Sequence, residues 1–162
     1  MVALSPSQKG ASAEAEISAA AIRLGLIVLR PLSEGGRYDL VIDTGDHLIR
    51  VQCKWAARHG AVLNAYTVTS RHTPRGYVRS TYSAAEVDAI GVFASDPGEC
   101  YLLPIAHVAG HRLISLRIAP TGNNQASNVR WASHYELEVS LRRHWGWRDC
   151  VPEPAESGSV CR

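Results

Sequence analysis

The chain is nearly without lysine, and one long stretch is without acid. Among its 162 residues, lysine occurs only at Lys9 and Lys54, and no aspartate or glutamate lies between Asp46 and Glu86. Other absences narrow the class. No apolar run approaches the ~20 residues that a bilayer-spanning helix needs, so no membrane partner is expected. Residues Met1 to Gly10 lack the basic and then apolar regions of a signal peptide, so a cytoplasmic protein is expected. The four cysteines, Cys53, Cys100, Cys150 and Cys161, show neither paired metal-ligand spacing nor a disulfide framework. There is no internal repeat and no interdomain linker. The length fits one domain, residues 1–148, followed by a tail at 149–162 that is expected to be disordered. With 46% hydrophobic and 20% charged residues, the chain is globular rather than disordered.

The acid-free window holds Arg50, Lys54, Arg58, Arg71, Arg75 and Arg79, with His47, His59 and His72. Six positive charges with no acid among them are the electrostatic footprint of a phosphate-backbone partner. Arginine excess alone follows from a GC-rich coding sequence, but the missing acids do not. A lone lysine in an arginine-rich stretch points to a task that needs a compact ammonium.

Two strand-like runs, Tyr38 to Asp43 and Leu48 to Lys54, are joined by a tight connection. If the turn is centred on Gly45-Asp46, Asp39 lies opposite Gln52, and opposed residues have Cβ atoms ~5 Å apart. Lys54 follows on the same side, because side chains alternate faces along a strand. One face, Leu40, Ile42, Ile49, Val51 and Cys53, is apolar throughout and reads as core. The other carries Asp39, Asp43, Arg50, Gln52 and Lys54 and is expected to face a cleft. A carboxylate, an amide oxygen and an ammonium so gathered suit a divalent metal and an attacking water.

Upstream, residues 7–25 predict a helix with Ile17, Ala21 and Leu24 on one stripe and Gly25 as its stop. At about 100° per residue, Glu14 lies on that apolar stripe and Glu16 on the far side. A carboxylate facing inward needs a partner, and a metal or Lys54 would serve. The bland alternative is a first-turn acid answering the helix dipole.

Further along, the pattern predicts strands at 26–29, 62–69, 89–94, 101–103 and 113–118. It predicts a basic loop at 70–80 around Pro74 and Gly76, and a short helix opened by the capping box Ser83-Ala84-Ala85-Glu86. A polar loop at 119–128 and a helix at 132–144 complete the chain. Arg71, Arg75 and Arg79, together with Arg50, are the candidate nucleic-acid contacts. His107 and His111, four apart, lack a third ligand and have Gly110 between them, which weighs against a metal pair.

These residues also carry a family resemblance. Lys9-Gly10 with Glu14, Gly36-Arg37-Tyr38-Asp39-Leu40-Val41, and Arg50-Val51-Gln52-Cys53-Lys54 resemble the motifs of the PD-(D/E)xK nuclease superfamily. The nearer branch is that of group I intron homing endonucleases and archaeal Holliday junction resolvase-like proteins. Tyr82 with Glu86-Val87-Asp88, Tyr101-Leu102-Leu103-Pro104, Asn124-Gln125, Arg130-Trp131-Ala132 and Tyr135 are similar to the rest of that branch's pattern. The resemblance covers about residues 9–135. It implies a restriction-endonuclease-like α/β sandwich, with a mixed central β-sheet flanked by helices. It also implies Mg²⁺-dependent (or Mn²⁺-dependent) DNA cleavage and a homo-oligomer, dimer or tetramer. Catalytic roles fall on Glu14, Asp39, Gln52 and Lys54, and metal ligation on Asp39, Gln52 and Glu14. Tyr38 stands where the motif has proline, and Gln52 where it has Asp or Glu. An amide at that position removes one negative charge and leaves a catalytically inactive DNA-binding module as the alternative.

Overall fold

The computed structural model describes residues 3–33, 35–120 and 127–148, with the backbone alone at 70–73 and 77–78. Helix α1 (Pro6–Arg23) begins where Ser5 caps it: Gln8 N–H donates to Ser5 Oγ, and the Gln8 side chain accepts from the Ser5 N–H. Pro6 occupies the first helical position, where no N–H is needed. The helix stops at Leu24, followed by Gly25 at φ +80°. Its buried stripe is Ala13, Ile17 and Ala21.

The strands follow as β1 (Ile27–Leu29), β2 (Leu40–Asp43), β3 (Leu48–His59), β4 (Val62–Tyr66), β5 (Thr69–Thr73), β6 (Gly76–Ser80), β7 (Ala89–Ala94), β8 (Glu99–Pro104) and β9 (Leu113–Arg117). Two further helices are α2 (Ile105–Val108) and α3 (Leu137–Trp145). Seven strands form one sheet through the path β1-β2-β3-β4-β9, with β7 beside β3 and β8 beside β7. The sheet is mixed, since β3 and β7 run parallel and the other pairs are antiparallel. The β2–β3 register is the one the turn at Gly45-Asp46 predicts, with Leu40 opposite Val51 and Ile42 opposite Ile49.

Both faces of this sheet are covered. On one, α1 and α3 pack against Leu40, Ile42, Ile49, Val51 and Cys53. On the other, Ile90, Val92 and Ala56 pack with Tyr82, Val87, Ile105 and Val108. The polar face of the hairpin therefore does not open broadly to a cleft as expected. Gln52 is only 8% exposed.

Four local expectations change. The basic stretch 70–80 is not a loop but a separate two-stranded ribbon, β5–β6, with Thr73 paired to Gly76 around Pro74-Arg75. The proline and glycine that read as breakers are the turn of a hairpin, and Gly76 takes φ +107°, which only glycine holds cheaply. At Ser83 half of the capping box forms: Glu86 Oε2 accepts from Ser83 N–H and Oγ, both at 3.1 Å, while Glu86 N–H donates to the Ser83 carbonyl at 3.0 Å and closes a single turn. A helix cannot continue there because β7 begins at Ala89. The helix expected at 132–144 is a 3₁₀ turn at Ala132–His134 and then α3. The break falls where β8 claims the backbone, Leu102 N–H donating to the Tyr135 carbonyl at 2.7 Å. The strand at 62–69 ends at Tyr66, where Thr67 N–H turns to the Arg112 carbonyl at 3.0 Å. Residues 121–126 of the polar loop, including Asn124 and Gln125, and the tail from 149 lie outside the described residues. Among the described residues, no helix is long and apolar enough to cross a membrane.

Candidate active site

The site arises from a gap along one edge of β3. Strand β7 covers the other edge from Val51 to Ala56. On the edge in question, β2 pairs only as far as Val51, and β4 begins pairing at Ala56. Residues 52–55 thus have no neighbouring strand on that side, and an unpaired N–H there needs an acceptor. Asp39, the residue just before β2, supplies it. Its Oδ2 accepts from Cys53 N–H at 2.7 Å and also from Gln52 Nε2. Burial raises the Asp39 pKa above its ordinary value, against the lowering effects of the Cys53 N–H, Lys54, Arg30 and Gln52.

Glu14 approaches from α1 on the opposite sheet face from Gln52 and Lys54. It does not pair with Lys54; its carboxylate is bound by Arg30, at the end of β1. Glu14, Arg30 and Asp39 line a cleft of about 470 Å³ together with Leu32, Gly36 and Tyr38. The Glu14 pKa is also raised, first by burial and then by the charge of Asp39, with Arg30 acting against both. Two carboxylates lining one cleft, both made harder to ionise by burial, make a place that gains from an added cation.

Lys54, half-buried on β3, donates from Nζ to Tyr82 Oη at 3.2 Å. The Tyr82 ring also lies 4.6 Å from the Arg37 guanidinium carbon. Arg37 Nη2 donates to the Thr81 carbonyl at 3.1 Å and to Glu86 Oε2 at 3.0 Å, while its Nε sits 2.7 Å from Glu86 Oε1 but out of line for a hydrogen bond. Arg50 is held nearby: Nε and Nη2 grip Asp88 at 2.9 and 2.8 Å, the backbone N–H donates to Asp88 Oδ2 at 2.8 Å, and Nη1 and Nη2 reach the carbonyls of Ala85 and Ala84. The single segment 81–88 therefore ties down Arg37, two residues before Asp39, and Arg50, two before Gln52.

This alters the expectation for Arg50. Its guanidinium is engaged by an acid and two carbonyls, so its position is that of a strut, not of a phosphate contact. Arg58 likewise meets Asp96 at 3.2 Å. The window free of acid in sequence is not free of acid in space. The other three candidates share the ribbon: Arg71 opposite Val78, Arg79 opposite Ser70, and Arg75 in the turn, with Arg75 and Arg79 exposed. His107 and His111 do not converge; His107 Nδ1 is 3.2 Å from Tyr135 Oη, and His111 Nε2 is 3.2 Å from Arg130 Nη2. The sequence does not mark Arg30 at all, and it marks Tyr82 only as part of the family pattern, without a site role. Their partners lie 16 and 28 residues away, and no local spacing marks these pairs.

A family model described as PD-(D/E)XK endonuclease matches residues 4–138. The chain belongs to the PD-(D/E)XK endonuclease family. Among solved structures it is similar to the bacterial homing endonuclease I-Ssp6803I, at 23% identity and a TM-score of 0.69, over 88% of this chain and 96% of that one. At that identity the likeness shows the fold. No curated protein matches the chain.

Members of the PD-(D/E)XK family generally use divalent metal ions. Among the described residues, no group of three or more His, Cys, Asp and Glu is placed to hold one. The donors that are present still fit a hard cation. Asp39 offers a carboxylate, Gln52 an amide that can present its oxygen on rotation, Cys53 a backbone carbonyl, and Glu14 a second carboxylate. All are oxygen ligands of the kind Mg²⁺ and Mn²⁺ take. The Cys53 thiol is packed in the core. Burial, then Asp39 and Glu14, hold its pKa well above the ordinary thiol value, so it stays protonated.

Proposed function

We propose that this protein is a divalent-metal-dependent DNA endonuclease in which Asp39, Gln52 and Glu14 hold Mg²⁺ or Mn²⁺ and Lys54 stands beside the attacking water. The observation that carries this reading is the gap on β3. One break in strand pairing gathers Asp39, Gln52 and Lys54, with Glu14 lining the cleft that Asp39 also lines. A metal there would polarise the scissile phosphate and lower the pKa of a bound water. The chain's own part is to orient. Asp39 and Gln52 fix the donor edge, and Lys54, on the same sheet face as Gln52, offsets phosphate charge. The basic ribbon β5–β6, carrying Arg71, Arg75 and Arg79, contacts the DNA backbone in this reading. Cleavage of both strands takes two sites, which favours a homo-oligomer.

A second reading keeps DNA binding and drops catalysis. It is favoured by one observation: Gln52 donates to Asp39, where the family motif has an acid. The experiment that separates the two is cleavage of supercoiled plasmid and of a four-way junction, in Mg²⁺ or EDTA, by wild type and Lys54→Ala. Mg²⁺-dependent cutting lost in the variant supports the nuclease. DNA binding by both proteins without cutting, even in Mn²⁺, supports the binding module. The substrate that is cut separates homing-type, junction-resolving and repair or defence roles.

A further inference from the structure

Lysine is a poor choice for a fixed charge unless something holds it. Its four-carbon stem is flexible, and its ammonium has no geometric preference of its own. At Lys54 the holding group is Tyr82. The hydroxyl accepts from Nζ at 3.2 Å, and Nζ lies 5.1 Å from the ring centroid. Tyr82 is itself fixed: it is 6% exposed, packed in the core with Val87 and Ile90, and its ring carries Arg37 at 4.6 Å. Arg37 is anchored in turn by Glu86 and the Thr81 carbonyl, within the same eight-residue segment. The choice of a phenol also has chemical sense. A carboxylate partner would hold the ammonium but cancel its charge toward phosphate. A neutral oxygen and a ring face hold it and leave the charge intact.

We propose that Tyr82 is a positioning residue for Lys54, aiming the ammonium at the β3 gap without neutralising it. The proposal deepens the nuclease reading and rests on it for its role in the reaction, but the contact can be tested without cleavage. The chain has only two lysines, Lys9 and Lys54. Lysine-selective ¹³C labelling therefore gives two sets of Cε–Hε correlations, with Lys9, exposed on α1, as internal reference. The Tyr82→Phe variant removes the hydroxyl and keeps the ring, so ring-current effects are retained. In the wild type, a held Lys54 shows two inequivalent Hε protons. In Tyr82→Phe they merge or shift toward the Lys9 pattern, while Lys9 is unmoved. Inequivalence that is identical in both proteins, or absent from the wild type, overturns the proposal.

The second arm is single-turnover DNA cleavage in Mg²⁺. Tyr82→Phe should cut at least tenfold more slowly with DNA Kd within twofold of wild type. An unchanged rate overturns the role in the reaction. If wild type does not cut at all, the nuclease reading fails, and the labelled-lysine spectrum still decides whether Tyr82 holds Lys54.

Discussion

Gln52 gives its side-chain N–H to the Asp39 carboxylate, across a β2–β3 register that sets the two residues opposite each other. In the PD-(D/E)XK motif both of these positions are acids. The amide thus does two things at once: it removes one metal-binding charge, and it relieves a carboxylate that is already partly buried. Replacing it tests both. Gln52→Glu should bind Mn²⁺ about tenfold more tightly, ~1.4 kcal/mol, as read by calorimetry. In EDTA the same variant should lose roughly 1–3 kcal/mol of stability, because two carboxylates then share a site and a donor is gone. Added Mn²⁺ should restore the loss. A variant equally stable with and without metal would argue against ligation here.

Asp39 and Glu14 give the metal-free protein a distinctive pH dependence. Both have folded-state pKa values raised by burial above the ordinary 3.8 and 4.5. The folded state therefore binds their protons more tightly than the unfolded chain does. Their ionisation costs stability above the raised values, and the cost disappears as pH falls below the ordinary ones. Asp39→Asn should accordingly melt at a higher temperature than wild type at pH 7–8 in EDTA. That advantage should shrink as the pH approaches 4. Cleavage should be lost in the same variant. Thermal melts across this range, with and without Mg²⁺, check the sign; an advantage that grows on acidification would contradict it.

Arg50 and Arg79 both stand in the acid-free window, yet their variants should behave differently. Arg50 braces Asp88, whose pKa is lowered first by the Arg50 side-chain bond. The stability that this pair contributes is present above the ordinary carboxylate value of 3.8 and is lost as pH falls through the lowered one. The pair is about one-third exposed, so solvent screening limits its worth. Arg50→Ala should cost roughly 1–2 kcal/mol, since the guanidinium bonds to the Ala84 and Ala85 carbonyls go with the ion pair while the backbone N–H bond to Asp88 stays. Arg79→Ala should leave the melting temperature unchanged and instead reduce the salt slope of DNA binding by about one. Denaturation and a salt titration of DNA affinity separate the two classes.

Counting along the hairpin was enough to set Asp39 opposite Gln52 and to name the core face, because a two-strand register follows from turn position alone. Glu14 was recognisable as an inward acid for the same kind of local reason. Its actual partner was not, since Arg30 sits beyond a helix end and a strand, where no periodicity reaches. The clamp of segment 81–88 on Arg37 and Arg50 spans separations of 49 and 38 residues. Such bonds are set by how the chain returns to β3, which a single sequence does not encode at short range. The ribbon is hidden in the sequence for a different reason. Pro74 and Gly76 are strong breaker signals, and a breaker inside a hairpin turn looks the same as a breaker inside a loop.

Gly91 links the packing of the fold to the geometry of the site. It lies on β7 opposite Cys53, within a strand buried along its whole length. A Cβ added there would fall 2.9 Å from Val51 Cγ1 and 3.0 Å from Ile17 Cδ1. Those two atoms belong to β3 and α1, the elements that carry Gln52 and Glu14. Val51 is fully buried on a strand hydrogen-bonded on both edges and cannot move far. Relief must come mainly from Ile17, one helical turn from Glu14, so α1 is the element that shifts. Gly91→Ala should cost roughly 1–3 kcal/mol, the usual size of an overpacking penalty. It should also lower Mg²⁺-dependent cleavage by more than its effect on DNA affinity, since Glu14 is displaced while the ribbon is untouched. Val51→Ala removes the closest atom, and in that background Gly91→Ala should cost less than it does alone. Additive losses in the double variant would show that the strain is not where the Gly91 contacts place it.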